Sequence, residues 1–306
     1  MKSSRTSGFR AALPFLLPSL IGFFVFSLIP IAATLLISLT SWDGLSRLTL
    51  ASDFQGFMKQ YYVGFQNYAS IFTGDEFWQV IRNTLKFVVL YIPIMLVVSL
   101  GVAAILNSKV RGVGFFRVVY YIPVITSWVA GSLIWRWVLN PQYGILNAML
   151  SAVGIQGPQW LQSPQWAMPA IVLASVWKDM GYFGLMLLAG LQGINRDYYE
   201  AAAIDGAGRV KRFFKITLPL LTPTIFFVLI ISMINSFQIF PQVVIMTPDG
   251  GPGGSTMVMV ERIYKYGFTY YKMGVASALS WILFLIIMVL TFVQMKLQHR
   301  WVNYDD

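Results

Sequence analysis

The sequence predicts an all-α integral membrane protein with six transmembrane helices, and three observations carry that expectation. Hydrophobic residues fill 57% of the 306 positions and charged residues only 11%, too few charges to cover the surface of a soluble domain. Six apolar runs are each long enough to cross about 30 Å of hydrocarbon, which takes roughly 20 helical residues. The bases are also unevenly shared. The N-terminus, the 107–117 and 191–216 connections and the C-terminal tail hold 13 Lys and Arg, whereas the other three connections hold 6. The positive-inside rule therefore places both termini and the 191–216 loop in the cytoplasm.

The runs divide the chain into a short cytoplasmic N-terminus (1–12), a six-helix domain (13–295) and a cytoplasmic tail (296–306). The first run, Leu13–Leu39, is too long for the apolar region of a signal peptide, which spans about 7–15 residues, and is expected to be retained. Its Pro14, Pro18 and Pro30 predict bends. An external loop, 40–82, follows, with Trp42 and Trp78 read as interface anchors. The second run, Thr84–Leu106, meets the third, Phe116–Leu139, across a turn carrying Lys109 and Arg111, with Arg117 just beyond. The next external loop, 140–167, has no charge between Asn140 and Trp166, but contains Trp160 and an apolar helical stretch, Ile145–Val153. It is expected to lie along the outer interface or against a partner.

The fourth run, Met168–Leu191, carries Lys178 and Asp179 near the bilayer midplane, where each charge costs roughly 2.5–3.5 kcal/mol. Adjacent helical residues point about 100° apart, so at least one should face the bundle interior. Two readings stand: a structural role, as a pair to residues on other spans or with one member snorkelling, or the lining of a polar path. Gly181 and Gly184 suit close helix approach. The fifth run, Leu218–Phe240, has Asn235 and Gln238 on one face, available to another helix or to a polar solute. The external loop 241–274 combines a turn-rich segment, Met246–Thr256, with Val260, Ile263, Tyr264, Gly267 and Tyr271 at helical spacing, which predicts an amphipathic surface helix. The sixth run is Val275–Met295.

Enzyme chemistry finds no support. There is no cysteine, the single histidine, His299, lies in the tail, and no HExxH, GxSxG or Walker A lysine loop occurs. No metal or cofactor site is expected in this chain. Nucleic acid is not an expected partner despite the net charge of +10, because the bases flank apolar helices and membrane lipid is the expected surrounding. Neither an inverted repeat nor a pair of Gly/Pro-broken spans of the secondary-transporter kind is expected.

The 195–218 loop is the most structured connection. Asn195 is placed to cap a helix with Asp197 in its first turn and a Tyr198–Asp205 body, after which Gly206 and Gly208 permit a reversal. A basic, aromatic helix then runs from Arg209 to Pro219. On physical grounds this hairpin is either a connector or a docking element.

Glu200-Ala201-Ala202-x-x-Asp205-Gly206-Ala207, followed by Phe213, Ile216, Leu218-Pro219 and Pro223, resembles the EAA loop of binding-protein-dependent ABC importer permeases. Val63-Gly64-Phe65-x-Asn67-Tyr68, Asn83-Thr84-Leu85, Asn140-Pro141-x-Tyr143-Gly144, Gly250-Gly251-Pro252 and Ala276-Ser277-Ala278-Leu279-Ser280 are similar to the sugar-importer branch of that family, so the likeness is nearly full length. Relatives usually carry proline at the position of Asn195 and a small residue at that of Asp179. The resemblance implies the type I importer permease fold and a second homologous permease completing the pathway. It also implies an ABC ATPase dimer that holds ATP and Mg and docks on the hairpin, and an extracytoplasmic sugar-binding protein. Glu200, Ala201, Ala202, Asp205, Gly206, Ala207, Phe213, Ile216, Leu218 and Pro219 would couple the permease to the ATPase, while Lys178, Asp179, Tyr182, Asn235 and Gln238 are the candidate substrate path. An ion-gradient-driven transporter or channel is the alternative, and it leaves the hairpin unexplained.

Overall fold

The computed structural model describes residues 4–108 and 113–303. Lys2, Lys109 and Arg111, three of the bases that orient the chain, lie outside them. Among the described residues four helices are long and apolar enough to cross a membrane: α1 over Ala12–Ser38, then Asp75–Asn107, Ala167–Gly193 and Met273–Arg300. Two bent pairs supply the rest, Gly114–Ile125 with Trp128–Val138 at 103° and Arg209–Leu220 with Thr222–Phe237 at 64°. With each pair counted as one crossing the number is six.

These bends correct two expectations, since the third and fifth runs are not continuous and a pair of proline-broken spans does exist. Each break has a local cause. Pro123 removes a backbone donor near the end of the first half, and Ser127 leaves the helical region at ψ 149° to cap the second half, its Oγ accepting from the Ala130 N–H at 3.2 Å. In the other pair Pro219 and Pro223 flank Leu221, so two amide donors are missing within one turn.

Residues divide into two compact bodies, 4–74 with 263–282 and 75–262 with 283–303. In the first body, α2 (Phe54–Tyr61) and α3 (Gln66–Thr73) structure the loop that follows α1. Trp42 is buried there against Phe57 with ring centroids 6.5 Å apart, and its Nε1 donates to the Ser46 carbonyl at 3.0 Å. It is therefore a core residue, which corrects its reading as an interface anchor, whereas Trp78 is half exposed. Asn67 is buried and its Nδ2 donates to the carbonyls of Ser38 and Thr40, both at 2.8 Å. Gly274 packs on that same Thr40 carbonyl so closely that a Cβ would collide with backbone.

In the second body, α4 (Asp75–Asn107) packs chiefly on α8 (Ala167–Gly193). Between them in the sequence lie α5 (Val113–Ile125), α6 (Trp128–Val138) and α7 (Ile145–Ala152). Helix α4 begins nine residues before the expected Thr84, and its 33 residues span about 50 Å, well beyond the hydrocarbon. Tyr91, Met95, Met168, Ile171, Phe183 and Leu187 are core residues of this body. Gly181 lies against the Tyr120 carbonyl of α5, and a Cβ at Gly184 would come within 3.0 Å of Val102 on α4, so both small residues serve close approach.

The uncharged loop after α6 folds around Asn147. Its Nδ2 donates to the carbonyls of Pro141 and Pro158 at 3.1 and 3.2 Å, and its Oδ1 accepts from Trp160 Nε1 at 2.7 Å. The glycine-rich segment 250–254 is held by α4: Asn83 Nδ2 donates to the Gly254 and Met257 carbonyls at 2.8 and 3.1 Å. Arg262 adds a buried ion pair to Glu261 at 2.6 Å and a second, at 2.7 Å, to Glu76 at the start of α4. Burial works against the guanidinium charge, but Glu261 and then Glu76 outweigh it and hold the Arg262 pKa above its ordinary value. The expected amphipathic helix is shortened accordingly. It covers Met259–Tyr264 and one π turn, Lys265–Thr269, it buries Glu261 and Arg262, and Tyr271 has left the helix at φ 52°.

Gly274→Ala is expected to lower the melting temperature of the detergent-purified protein by several degrees, on the order of 1–3 kcal/mol. Gly101→Ala, where a Cβ meets nothing within 4 Å, is the control and should stay within about one degree. Equal melting temperatures would contradict the packing of Gly274 on Thr40.

Candidate functional site

Two sites emerge, a projecting hairpin and a polar pocket. The hairpin starts at α9 (Arg196–Ile204), where Asn195 Oδ1 accepts from the Asp197 N–H at 3.1 Å and Asp197 sits in the positively polarised first turn. The helix ends in a Schellman arrangement: the Ala207 N–H reaches the Ala202 carbonyl at 2.9 Å and the Gly206 N–H reaches Ala203 at 3.1 Å. This geometry needs a left-handed residue, and Gly206 supplies it at φ 74°. Gly208, expected to share the reversal, is extended at φ −67°, ψ 167°, so Gly206 carries it alone.

The second arm, α10 (Arg209–Leu220), contains a π turn over Phe213–Thr217. Tyr199 of α9 ties to that turn through a 2.9 Å hydroxyl contact with Thr217. Glu200, Ala201, Asp205 and Gly206 are exposed, while Ala202, Ala207, Phe213, Ile216, Leu218 and Pro219 are partly buried. Exposed apolar side chains accompany Glu200. Ile204 is 87% exposed and Val210 72%, and these two were missed in the sequence because single apolar residues in a polar loop carry no periodicity. Exposed apolar side chains on a capped and braced hairpin that also presents a carboxylate are suited to docking.

The pocket, of about 300 Å³, opens between α4, α6, α8, α11 (Thr222–Phe237) and α12 (Pro241–Met246). Asp179, Asn235 and Gln238 all line it. They are joined by Tyr91, Trp128 and Gln242, each from another helix and so beyond the reach of sequence spacing, and by Ser175, whose position four residues before Asp179 on α8 was a signal that could have found it. The Tyr91 hydroxyl donates to Asp179 Oδ2 at 2.7 Å. Lys178 and Tyr182 are not brought to this pocket. Lys178 is buried with Nζ donating to the carbonyls of Pro123 and Val124 at 2.9 and 3.0 Å, and it lies 5.5 Å from the centroid of the Trp128 ring. The adjacent residues thus divide the two readings made of them, Lys178 serving the break in the third span and Asp179 the pocket. Tyr182 is 42% exposed and does not line the pocket. Among the described residues no group of three or more His, Cys, Asp or Glu is arranged to hold a metal.

A family model described as "Binding-protein-dependent transport system inner membrane component" matches residues 83–303. The chain belongs to that family. The permease is 38% identical over its whole length to the probable ABC transporter permease protein YesP of Bacillus subtilis, covering 96% of it. It is 37% identical to the sulfoquinovosyl glycerol transport system permease protein SmoG of Agrobacterium fabrum, over 77% of this chain and 76% of that one. A crystal structure of a bacterial ABC transporter for the acidic polysaccharide alginate matches with TM-score 0.76 and 23% identity over 95% of both chains, which establishes the shared fold. The protein is thus a multi-pass inner-membrane permease and not itself a catalyst, and membership decides between the two transporter classes despite the broken spans.

Lys178→Met should leave two buried carbonyls without a donor and lower the stability of the permease by roughly 1–3 kcal/mol, read as a fall in melting temperature and membrane yield. The order of preference among transported solutes should be unchanged in the protein that survives. An altered preference at normal stability would place Lys178 in the substrate path after all.

Proposed function

We propose that this permease forms half of the transmembrane pathway of an ATP-driven importer for a sugar or sugar derivative, and that it works by alternating access. A second, homologous permease completes the pathway. Two ATPase subunits, which bind ATP and Mg, dock on the 195–218 hairpin from the cytoplasm, and an extracytoplasmic binding protein delivers the solute. Both termini lie in the cytoplasm, as the bias of Lys and Arg supports. The sugar assignment is supported by SmoG and the alginate transporter, whose names state their cargoes.

The observation that carries the reading is the hairpin itself. A loop that served only as a connector has no need of a capped helix, a Schellman end, a Tyr199–Thr217 brace and an 87% exposed isoleucine. Glu200 projects from its exposed side as an acceptor for a basic group of the ATPase. Closure of the ATPase pair would then move the hairpin and, through α10 and α11, the pocket-lining Asn235 and Gln238. The pocket offers a carboxylate, three amides, three hydroxyls and an indole, a set matched to a polyhydroxylated solute.

In proteoliposomes holding the permease with its co-purified subunits, Glu200→Ala should cut ATP-driven uptake at least about tenfold while ATP hydrolysis persists uncoupled. Gly206→Ala forces a side chain into the left-handed region at about 1–2 kcal/mol and should fall between wild type and Gly206→Pro, which should abolish uptake. Full uptake in both Glu200→Ala and Gly206→Pro would defeat the reading.

A further inference from the structure

The structure assigns the central pocket to an uncharged, hydroxyl-rich cargo, with Asp179 as the residue that rejects anions. This inference rests on the reading of the pocket as the substrate path, and it concerns what the pocket lacks. Among the described residues Asp179 is the only charged group lining it. One carboxylate oxygen is engaged by Tyr91, and no hydrogen bond to Oδ1 is present among the described residues. Two further lining groups, Ser175 Oγ and Gln242 Oε1, are buried without a partner, at residues only 1% and 4% exposed. Two of these three unmet atoms only accept, and the serine can do so. A ligand that completes these three must bring donors, as vicinal hydroxyls do and a carboxylate, phosphate or sulfonate group does not; a hydroxyl also accepts, so it can meet the N–H donors of Asn235, Gln238 and Trp128 in the same lining.

The neighbouring charge does not change this balance. Lys178 could have offset Asp179 from within the pocket, but its ammonium is directed to the Pro123 and Val124 carbonyls and the Trp128 ring and is not part of the lining. An anion would face Asp179 at close range. Kinship leaves the matter open, since the alginate transporter's cargo is described as acidic.

The test is equilibrium binding by the detergent-purified transporter with all its subunits but without the binding protein, so that the permease pocket is what is read. The probes are radiolabelled neutral disaccharides (maltose, lactose, trehalose, cellobiose), each paired with its C6-oxidised uronate. A neutral member should bind on the order of 100-fold more tightly than its uronate, the effect of like charges about 6 Å apart at an effective dielectric near 20. Asp179→Asn should retain the neutral member and close most of that gap. Gln242→Glu, which adds a carboxylate to the same pocket, should widen it. Uronates that bind as well as their neutral counterparts in the wild type, or a gap that Asp179→Asn leaves intact, would overturn the proposal. If instead Asn235→Ala and Gln238→Ala leave every affinity unchanged, the pocket is not the substrate path, and the underlying reading falls with it.

Discussion

The pair of hydrogen bonds from Lys178 Nζ to the carbonyls of Pro123 and Val124 holds the centre of the second body together. In a bilayer every backbone polar group must find a partner inside the protein, because no water is available to replace a missing one. Pro123 and the 103° bend between α5 and α6 leave carbonyls without helical donors. Irregular backbone at this depth is tolerable only where a neighbour supplies the bonds, and α8 does so with an ammonium group. A lysine at mid-membrane is costly alone and so are orphaned carbonyls, but the two costs offset each other when they meet. Gly181 makes the meeting possible, since a larger residue one turn along α8 would press on the Tyr120 carbonyl and hold α5 away.

The break then decides where the pocket can form. A straight third helix would carry residues 126–128 along its axis. The bent one redirects the chain at Ser127, so Trp128 lines the pocket and α6 packs on α12. The same α8 turn that repairs the break presents Asp179 to Tyr91 across α4. Structure and site are thus built from consecutive residues of one helix, which explains why a Lys-Asp dipeptide occupies a position where either charge alone would be difficult to keep.

This division also shows what could be read from the sequence and what could not. Span number, the Asn195 cap and the Gly206 reversal were legible because they depend on hydrophobic run length and on residues within four positions of one another. Asp179, Asn235 and Gln238 were legible as polar residues inside apolar runs. Trp42 and Trp160 were not, since an interfacial and a core tryptophan look alike until their Nε1 partners, Ser46 and Asn147, are in place. The helix breaks were hidden for a related reason. A proline in a membrane helix bends it, straightens or breaks it according to what neighbouring helices supply. Pro93 lies within the continuous α4, whereas Pro123 precedes a 103° turn, and the difference resides in Ser127 and in Lys178 on another helix.

The second break shows the same rule applied at a joint. Pro219 and Pro223 interrupt the ladder between α10 and α11, and the gap is closed by side chains and by the end of the chain. The Thr222 hydroxyl donates to the Pro219 carbonyl at 2.6 Å and accepts from the Asn303 N–H at 2.9 Å, and Trp301 packs edge-on against Phe226 at 5.8 Å. Tyr199 fixes the first arm of the hairpin to Thr217, two residues before Pro219. A bonded path therefore runs from α9 through the joint into α11, whose 16 residues cover about 24 Å and end beside Asn235 and Gln238. A flexible proline joint would absorb a displacement of the hairpin. One bridged by Thr222 would pass it on, so under the proposed function the contacts that satisfy the broken backbone would also stiffen the path from the hairpin to the pocket.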